Sequence, residues 1–296
     1  MWGIAASLGR AAFTGRLVAH GSLEAISPLI LAQSRTTLSF LLLCPILLAS
    51  RGWLGLRLPN ADLWKLFVLG VLGVVGSNYF YYLAIQRTNV AIAIIVQYTA
   101  PIWVLLYTIL RGLQKVSWQR VTAVVLAVVG VTIAVGVGSG NLKLDRIGVL
   151  AALLASLSFA FYNIGGHQIL KRYDHWVVLL YTTLSAGLFW IIINPPWKIA
   201  AAHYSAAQWL FLIAFAMISV LIPFSFYFVG LKYLEPTQAI IMSCTEPIFS
   251  VVIAAATLGE LVRPLQTVGI LLVLAAIIVV QLSDRGATSP IIEPIE

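Results

Sequence analysis

Apolar runs about one membrane thickness long follow one another through the chain, separated by short polar stretches. A helix needs about 20 apolar residues to cross the hydrocarbon core. Ten such segments lie near 1–20, 29–49, 63–86, 91–110, 118–138, 146–167, 175–194, 207–230, 237–257 and 264–283. The connections are too short to hold a soluble domain. The pattern therefore predicts an all-α integral membrane protein with ten transmembrane helices. Punctuation agrees with these limits: Asn89 can cap the fourth segment, and Pro236 suits the first turn of the ninth. Ser205 and Gln208 have capping-box spacing before the eighth, while Pro59-Asn60 and Pro195-Pro196 mark turns. A polar tail occupies 284–296.

The chain also repeats itself 146 residues on, without a gap. Phe80-Tyr81 recurs as Phe226-Tyr227, Ala93-Ile94-Ile95 as Ala239-Ile240-Ile241, and Thr99-Ala100-Pro101-Ile102 as Thr245-Glu246-Pro247-Ile248. The halves are 1–138 and 146–283, with five helices each. An odd number sends the second copy into the membrane upside down, giving two inverted five-helix repeats, and a site is expected where they meet. Leu157 to Tyr162 lies deep in the sixth segment, whereas the similar Met1-Trp2-Gly3 opens the chain. The first helix should thus be short, with a start codon upstream or a stubby N-terminus; mass spectrometry of the mature N-terminus decides between them. Gly70, Gly73 and Gly76, and Ala127, Gly130, Ala134 and Gly138, form small-residue faces suited to close helix packing.

Composition supports the membrane assignment. Apolar residues make up 61% of the chain and charged ones 9%, with a mean hydropathy of +0.99. A soluble domain carries about 25% charged residues. The net charge of +8 is not gathered into an aromatic-laced patch, so no nucleic-acid partner is expected. Arg51, Arg57, Lys65, Arg111, Lys115, Arg120, Lys171, Arg172, Lys232 and Arg285 fall on one side, against Arg87, Lys143, Arg146, Lys198 and Arg263 on the other. Positive residues favour the cytoplasm, which places both termini inside a multi-pass inner-membrane protein. Cys44 and Cys244 read as buried thiols without metal-ligand spacing. No cleaved signal peptide, metal site or cofactor motif is expected.

Within this frame, Ala91 to Pro101 and Thr237 to Glu260 resemble the EamA-type branch of the drug/metabolite transporter superfamily. Glu246-Pro247 followed by Gly259-Glu260 is similar to that family's acidic pair, and Trp2-Gly3 and Arg35 fit its looser pattern. The resemblance covers 1–283. Ala100 and Gln114 stand where the first half would carry the acidic pair, so any role for those carboxylates belongs to the second half. The resemblance implies a transporter, commonly an exporter of small metabolites and sometimes of amino acids.

The residues that can carry transport are the polar ones set inside apolar segments. Glu246 lies about nine residues into the ninth segment, where an ionised carboxylate is costly; it can carry a proton or meet a cationic group. Pro101 and Pro247 occupy matching positions and should kink their helices, freeing carbonyls to line a cavity. Asn78, Tyr82 and Gln86 share a face of the third segment, with Tyr79 and Tyr81 beside it; Ser156, Asn163 and His167, with Tyr162, do so on the sixth. Gln97, Tyr98 and Thr99 on the fourth segment answer Ser243 and Thr245 on the ninth. Interhelical hydrogen bonding without a ligand explains each stripe equally well. Arg35 can fork onto a substrate carboxylate, although reaching out to the headgroups is the favoured reading. Arg10 and Arg16 lie in the first segment, and Glu260 near Arg263 reads as a surface pair.

These features predict a secondary active transporter working by alternating access about a central cavity. The sequence lacks a phosphate-binding Gly-x-x-x-x-Gly-Lys-[Ser/Thr] loop, so a proton or substrate gradient should drive it. The expected partners are a small-molecule substrate, the bilayer and protons, with the chain a monomer or homodimer. Amino acids are the first substrate class; nucleosides, organic cations and drugs are alternatives. An intramembrane enzyme lacks its motifs here, with His20, His167, His175 and His203 scattered. A non-transporting scaffold is the remaining alternative.

Overall fold

The computed structural model describes residues 8, 26–88, 90–135, 145–201, 203–249 and 264–285. Outside them lie most of the first segment with Trp2-Gly3, Arg10, Arg16 and His20, the Asn89 cap, Gly138, Lys143, the Gly259-Glu260 pair, Arg263 and the tail beyond 285. Among the described residues every regular element is helical. In chain order these are α1 (Pro28–Leu56), α2 (Asn60–Val68), α3 (Gly76–Arg87), α4 (Val90–Gln97), α5 (Ala100–Leu110), α6 (Trp118–Val135), α7 (Arg146–Leu170), α8 (His175–Ile193), α9 (Pro196–Ala200), α10 (Ala206–Ala216), α11 (Ile222–Tyr233), α12 (Pro236–Ser243) and α13 (Pro264–Arg285). Wider π turns join α2 to α3 at Leu69–Val75 and α10 to α11 at Met217–Leu221.

Eight of these helical stretches are long and apolar enough to cross a membrane. They match the second to eighth and the tenth expected segments; of the ninth, residues up to 249 are described. Local signals act as the sequence suggests. Ser205 and Gln208 close a capping box on α10, and Pro236 sits in the first turn of α12. The second segment runs past its expected end to Leu56, changing direction at Gly52, whose φ of 67° suits glycine. Cys44 and Cys244 are free thiols.

The halves share their irregularities. Both π turns fall at matching points when one half is shifted by 146 residues onto the other. Pro223 follows the second and has no N–H to continue the ladder. The first has no proline. Its glycines admit close neighbours instead: a Cβ on Gly70 would stand 2.7 Å from the Thr182 carbonyl, and one on Gly73 2.9 Å from the Tyr162 ring. Small residues also join α6 to α13, where Ala127, Gly130 and Ala134 are buried against Gly269, Val273 and Ala276.

Polar contacts tie the helix ends. Arg51 pairs with Asp174 at 2.9 Å, and Tyr173 donates to Asp62 at 2.6 Å. That bond, with a smaller contribution from burial, holds the Tyr173 phenol above its ordinary pKa. At the start of α12, Glu235 accepts from Gln114 at 2.6 Å and from Arg120 at 3.1 Å, while Thr108 and Thr237 both donate to the Gln114 carbonyl. The cluster joins one half of the chain to the other. Bonds to a charged group contribute about 1.5–3 kcal/mol, and the Glu235 side chain is 43% exposed, which screens the pair. Glu235→Ala should therefore cost about 1–2 kcal/mol, seen as a lower melting temperature in detergent. An unchanged midpoint would contradict this.

Candidate functional site

Two helix breaks at matching positions make the site. In the first half α4 ends at Gln97 and α5 begins at Ala100; in the second α12 ends at Ser243 and helix resumes at 246–249. Both interruptions show the same tightening of the ladder. Thr99 N–H bonds the Val96 carbonyl at 3.1 Å, and Thr245 N–H bonds that of Met242 at 3.2 Å, three residues back rather than four. The prolines supply the cause. Pro101 and Pro247 cannot donate to the carbonyls four residues earlier, those of Gln97 and Ser243. Both rings are buried.

Tyr98 bridges the breaks. Its hydroxyl donates to Glu246 Oε2 at 2.7 Å and lies 3.4 Å from the Ser243 carbonyl, the acceptor that Pro247 releases. Thus a side chain from the first break satisfies the carboxylate and the freed backbone group of the second. Charge-assisted bonds of this kind are stronger than neutral ones. Beside Glu246 is a cavity of about 380 Å³, lined by Ser243, Thr245 and Glu246 with Tyr227, Met242 and Phe249 among its apolar and aromatic walls. Its volume falls in the range of small-molecule sites. The wall can offer a solute one carboxylate, two hydroxyls, a phenol and apolar surface.

Other candidates take different positions. Thr99 meets Ser156 of α7 at 3.0 Å, directly beside the first break. Asn163 is fully buried and accepts from Tyr227, and His167 Nδ1 meets the Leu231 carbonyl at 2.8 Å. The polar stripe of α7 is thus used in interhelical bonds, one to the α4–α5 break and two to α11. Tyr162 packs against Phe224 and Phe228, and among the described residues its hydroxyl has no hydrogen-bond partner. Asn78 bonds back to Val74 at 2.5 Å across the end of the π turn, and Tyr79 turns to Trp190 with ring centroids 6.2 Å apart. Tyr82 accepts from Arg35 Nη1 at 3.2 Å, so Arg35 turns inward rather than reaching for headgroups. Gln97 is partly exposed at the end of α4.

Three residues escape a reading by segment. Tyr227 lines the cavity and bonds Asn163; its signal was its place in the repeat, as the counterpart of Tyr81. Gln33 and Asn194 exchange two hydrogen bonds, at 2.8 and 2.6 Å, joining α1 to the end of α8. The single amides carry no motif that would pair them.

A family model described as the EamA-like transporter family matches residues 1–136 and 146–282. The chain belongs to that family. It is a multi-pass membrane transporter and not an enzyme. The uncharacterized inner membrane transporter YicL of Salmonella typhimurium is 22% identical over 282 residues, which cover 90% of this chain and 93% of that protein. The threonine/homoserine exporter RhtA of Escherichia coli K12 is 28% identical over 253 residues, covering 86% and 83%. The uncharacterized transporter YxxF of Bacillus subtilis is 25% identical, covering 82% and 80%. A solved crystal structure shares the fold with a TM-score of 0.72 at 20% identity, covering 98% of this chain and all of that one.

Proposed function

We propose that this EamA-family protein is a secondary active exporter of small amino acids, with two inverted repeats rocking about a cavity that contains Glu246. The contact between Tyr98 and Glu246 carries the reading, because it joins the two proline-linked breaks at the edge of a small-molecule cavity. Discontinuous helices at a repeat interface are the usual way transporters build such sites. The substrate class rests on the likeness to RhtA, whose name describes a threonine/homoserine exporter. In this scheme the Glu246 carboxylate meets the substrate ammonium group or, when empty, a proton. The distribution of positive residues supports a cytoplasmic position for both termini of an inner-membrane protein.

Organic cations are the second reading. The cavity's apolar wall and single carboxylate suit them as well. Cells loaded with threonine or homoserine and making the protein should release either amino acid faster than cells making a Glu246→Gln variant. Unchanged release of both amino acids, with faster release of an aromatic amine, would replace the first reading by the second.

A further inference from the structure

The strongest unexplained feature lies outside the cavity wall. Arg35 sits seven residues into α1, about 10 Å from its start, within a stretch apolar enough to span the membrane. An arginine this far inside such a helix is costly to insert. A purely structural arginine would offset that cost with an acidic partner. Arg35 has none within salt-bridge distance among the described residues. Its Nη1 donates to the neutral Tyr82 hydroxyl at 3.2 Å, and its buried Nε has no hydrogen-bond partner among the described residues. The side chain as a whole is only partly buried, so some of it remains accessible. Arg35 is also one of the charges that act on the Glu246 carboxylate, after burial and the Tyr98 hydrogen bond. The cation comes from the first half of the chain, and the anion from the second.

We infer that Arg35 receives the carboxylate of a zwitterionic substrate whose ammonium group faces Glu246. The inference rests on the amino-acid reading above and deepens it by giving each charge of the solute its own partner. A guanidinium suits this task better than an ammonium would. It is always charged, more weakly hydrated and able to bind a carboxylate through two parallel N–H bonds. Tyr82 steers the group by holding Nη1 while contributing no charge of its own. Because Nε is sealed from solvent here, its edge becomes available when the surrounding helices part. Binding and opening are thereby linked. The site would select α-amino acids over amines of the same shape, because an amine leaves the guanidinium without its anion.

The test uses the full chain in proteoliposomes, with uptake of labelled threonine competed by unlabelled threonine or by 1-aminopropan-2-ol, its decarboxylated counterpart. Wild type should prefer threonine by about 10- to 100-fold, the range of a hydrogen bond to a charged group. Arg35→Gln should lose most of that preference, chiefly through weaker threonine binding, and Tyr82→Phe, which removes the group that holds Nη1, should lose part of it. If Arg35→Gln does not reach the membrane intact, Arg35→Lys carries the test: threonine binding weakens and the amine's does not. Equal competition by both compounds in wild type, or unchanged preference in the Arg35 variants, overturns the inference and leaves amino-acid transport standing. A wild type that moves no amino acid overturns both.

Discussion

Glu246→Gln should lower amino-acid efflux by about tenfold or more and remove the part of its pH dependence that Glu246 supplies. The glutamine keeps the shape of the side chain but is fixed in the neutral form. It can accept from Tyr98, so the bond that links the breaks persists. It can neither carry a proton nor balance a substrate ammonium group. Loss of a charged partner costs about 1.5–3 kcal/mol, and each 1.4 kcal/mol is a factor of ten. The comparison is between wild type and variant over a range of pH, in vesicles holding equal amounts of protein. A second variant, Tyr98→Phe, separates structure from charge. It removes the donor to both Glu246 and the Ser243 carbonyl, so it should lower thermal stability as well as transport. An E246Q protein with wild-type rates at every pH would remove Glu246 from the mechanism.

The second large effect is structural. Gly269→Ala should destabilise the protein by about 3 kcal/mol or more, at the upper end of overpacking costs. The added Cβ would clash with the Ala134 nitrogen and lie 2.7 Å from the Gly130 carbonyl, both backbone atoms that no side-chain rotation can move. Helices α6 and α13 would have to separate along their shared face. Gly230→Ala is the matched control, since nothing stands within 4 Å of its added Cβ. Melting temperatures in the same detergent should fall sharply for the first and hardly at all for the second. Equal shifts would mean that the contact between α6 and α13 is not the tight crossing described.

What the sequence makes legible follows from which interactions are local. The apolar runs depend only on the cost of burying backbone in lipid, and among the described residues eight of them stand as helices long and apolar enough to cross a membrane. The helix breaks were foreshadowed by Pro101 and Pro247, because a missing N–H acts on carbonyls four residues away. The π turns were not. They insert a residue without disturbing an apolar run that has little face preference, and only one of them is followed by a proline.

The site is harder to read for the same reason. Tyr98 and Glu246 are each conspicuous as polar groups in apolar segments, but their contact joins residues 148 apart in sequence. Asn163 and His167 look equally suited to a ligand, yet both are engaged by α11. For Arg35, side-chain length alone permits a reach to the headgroups; the Tyr82 hydroxyl decides its direction. The constant register of the two halves carries more information than any single stripe. Applied to Tyr81, it points to Tyr227.

The most direct measurement is counterflow of labelled threonine into proteoliposomes preloaded with unlabelled threonine, using purified wild type and Glu246→Gln. Wild type should accumulate label transiently, and the variant should not. Accumulation that is equal in both, or absent from wild type across threonine, homoserine and related amino acids, would contradict this.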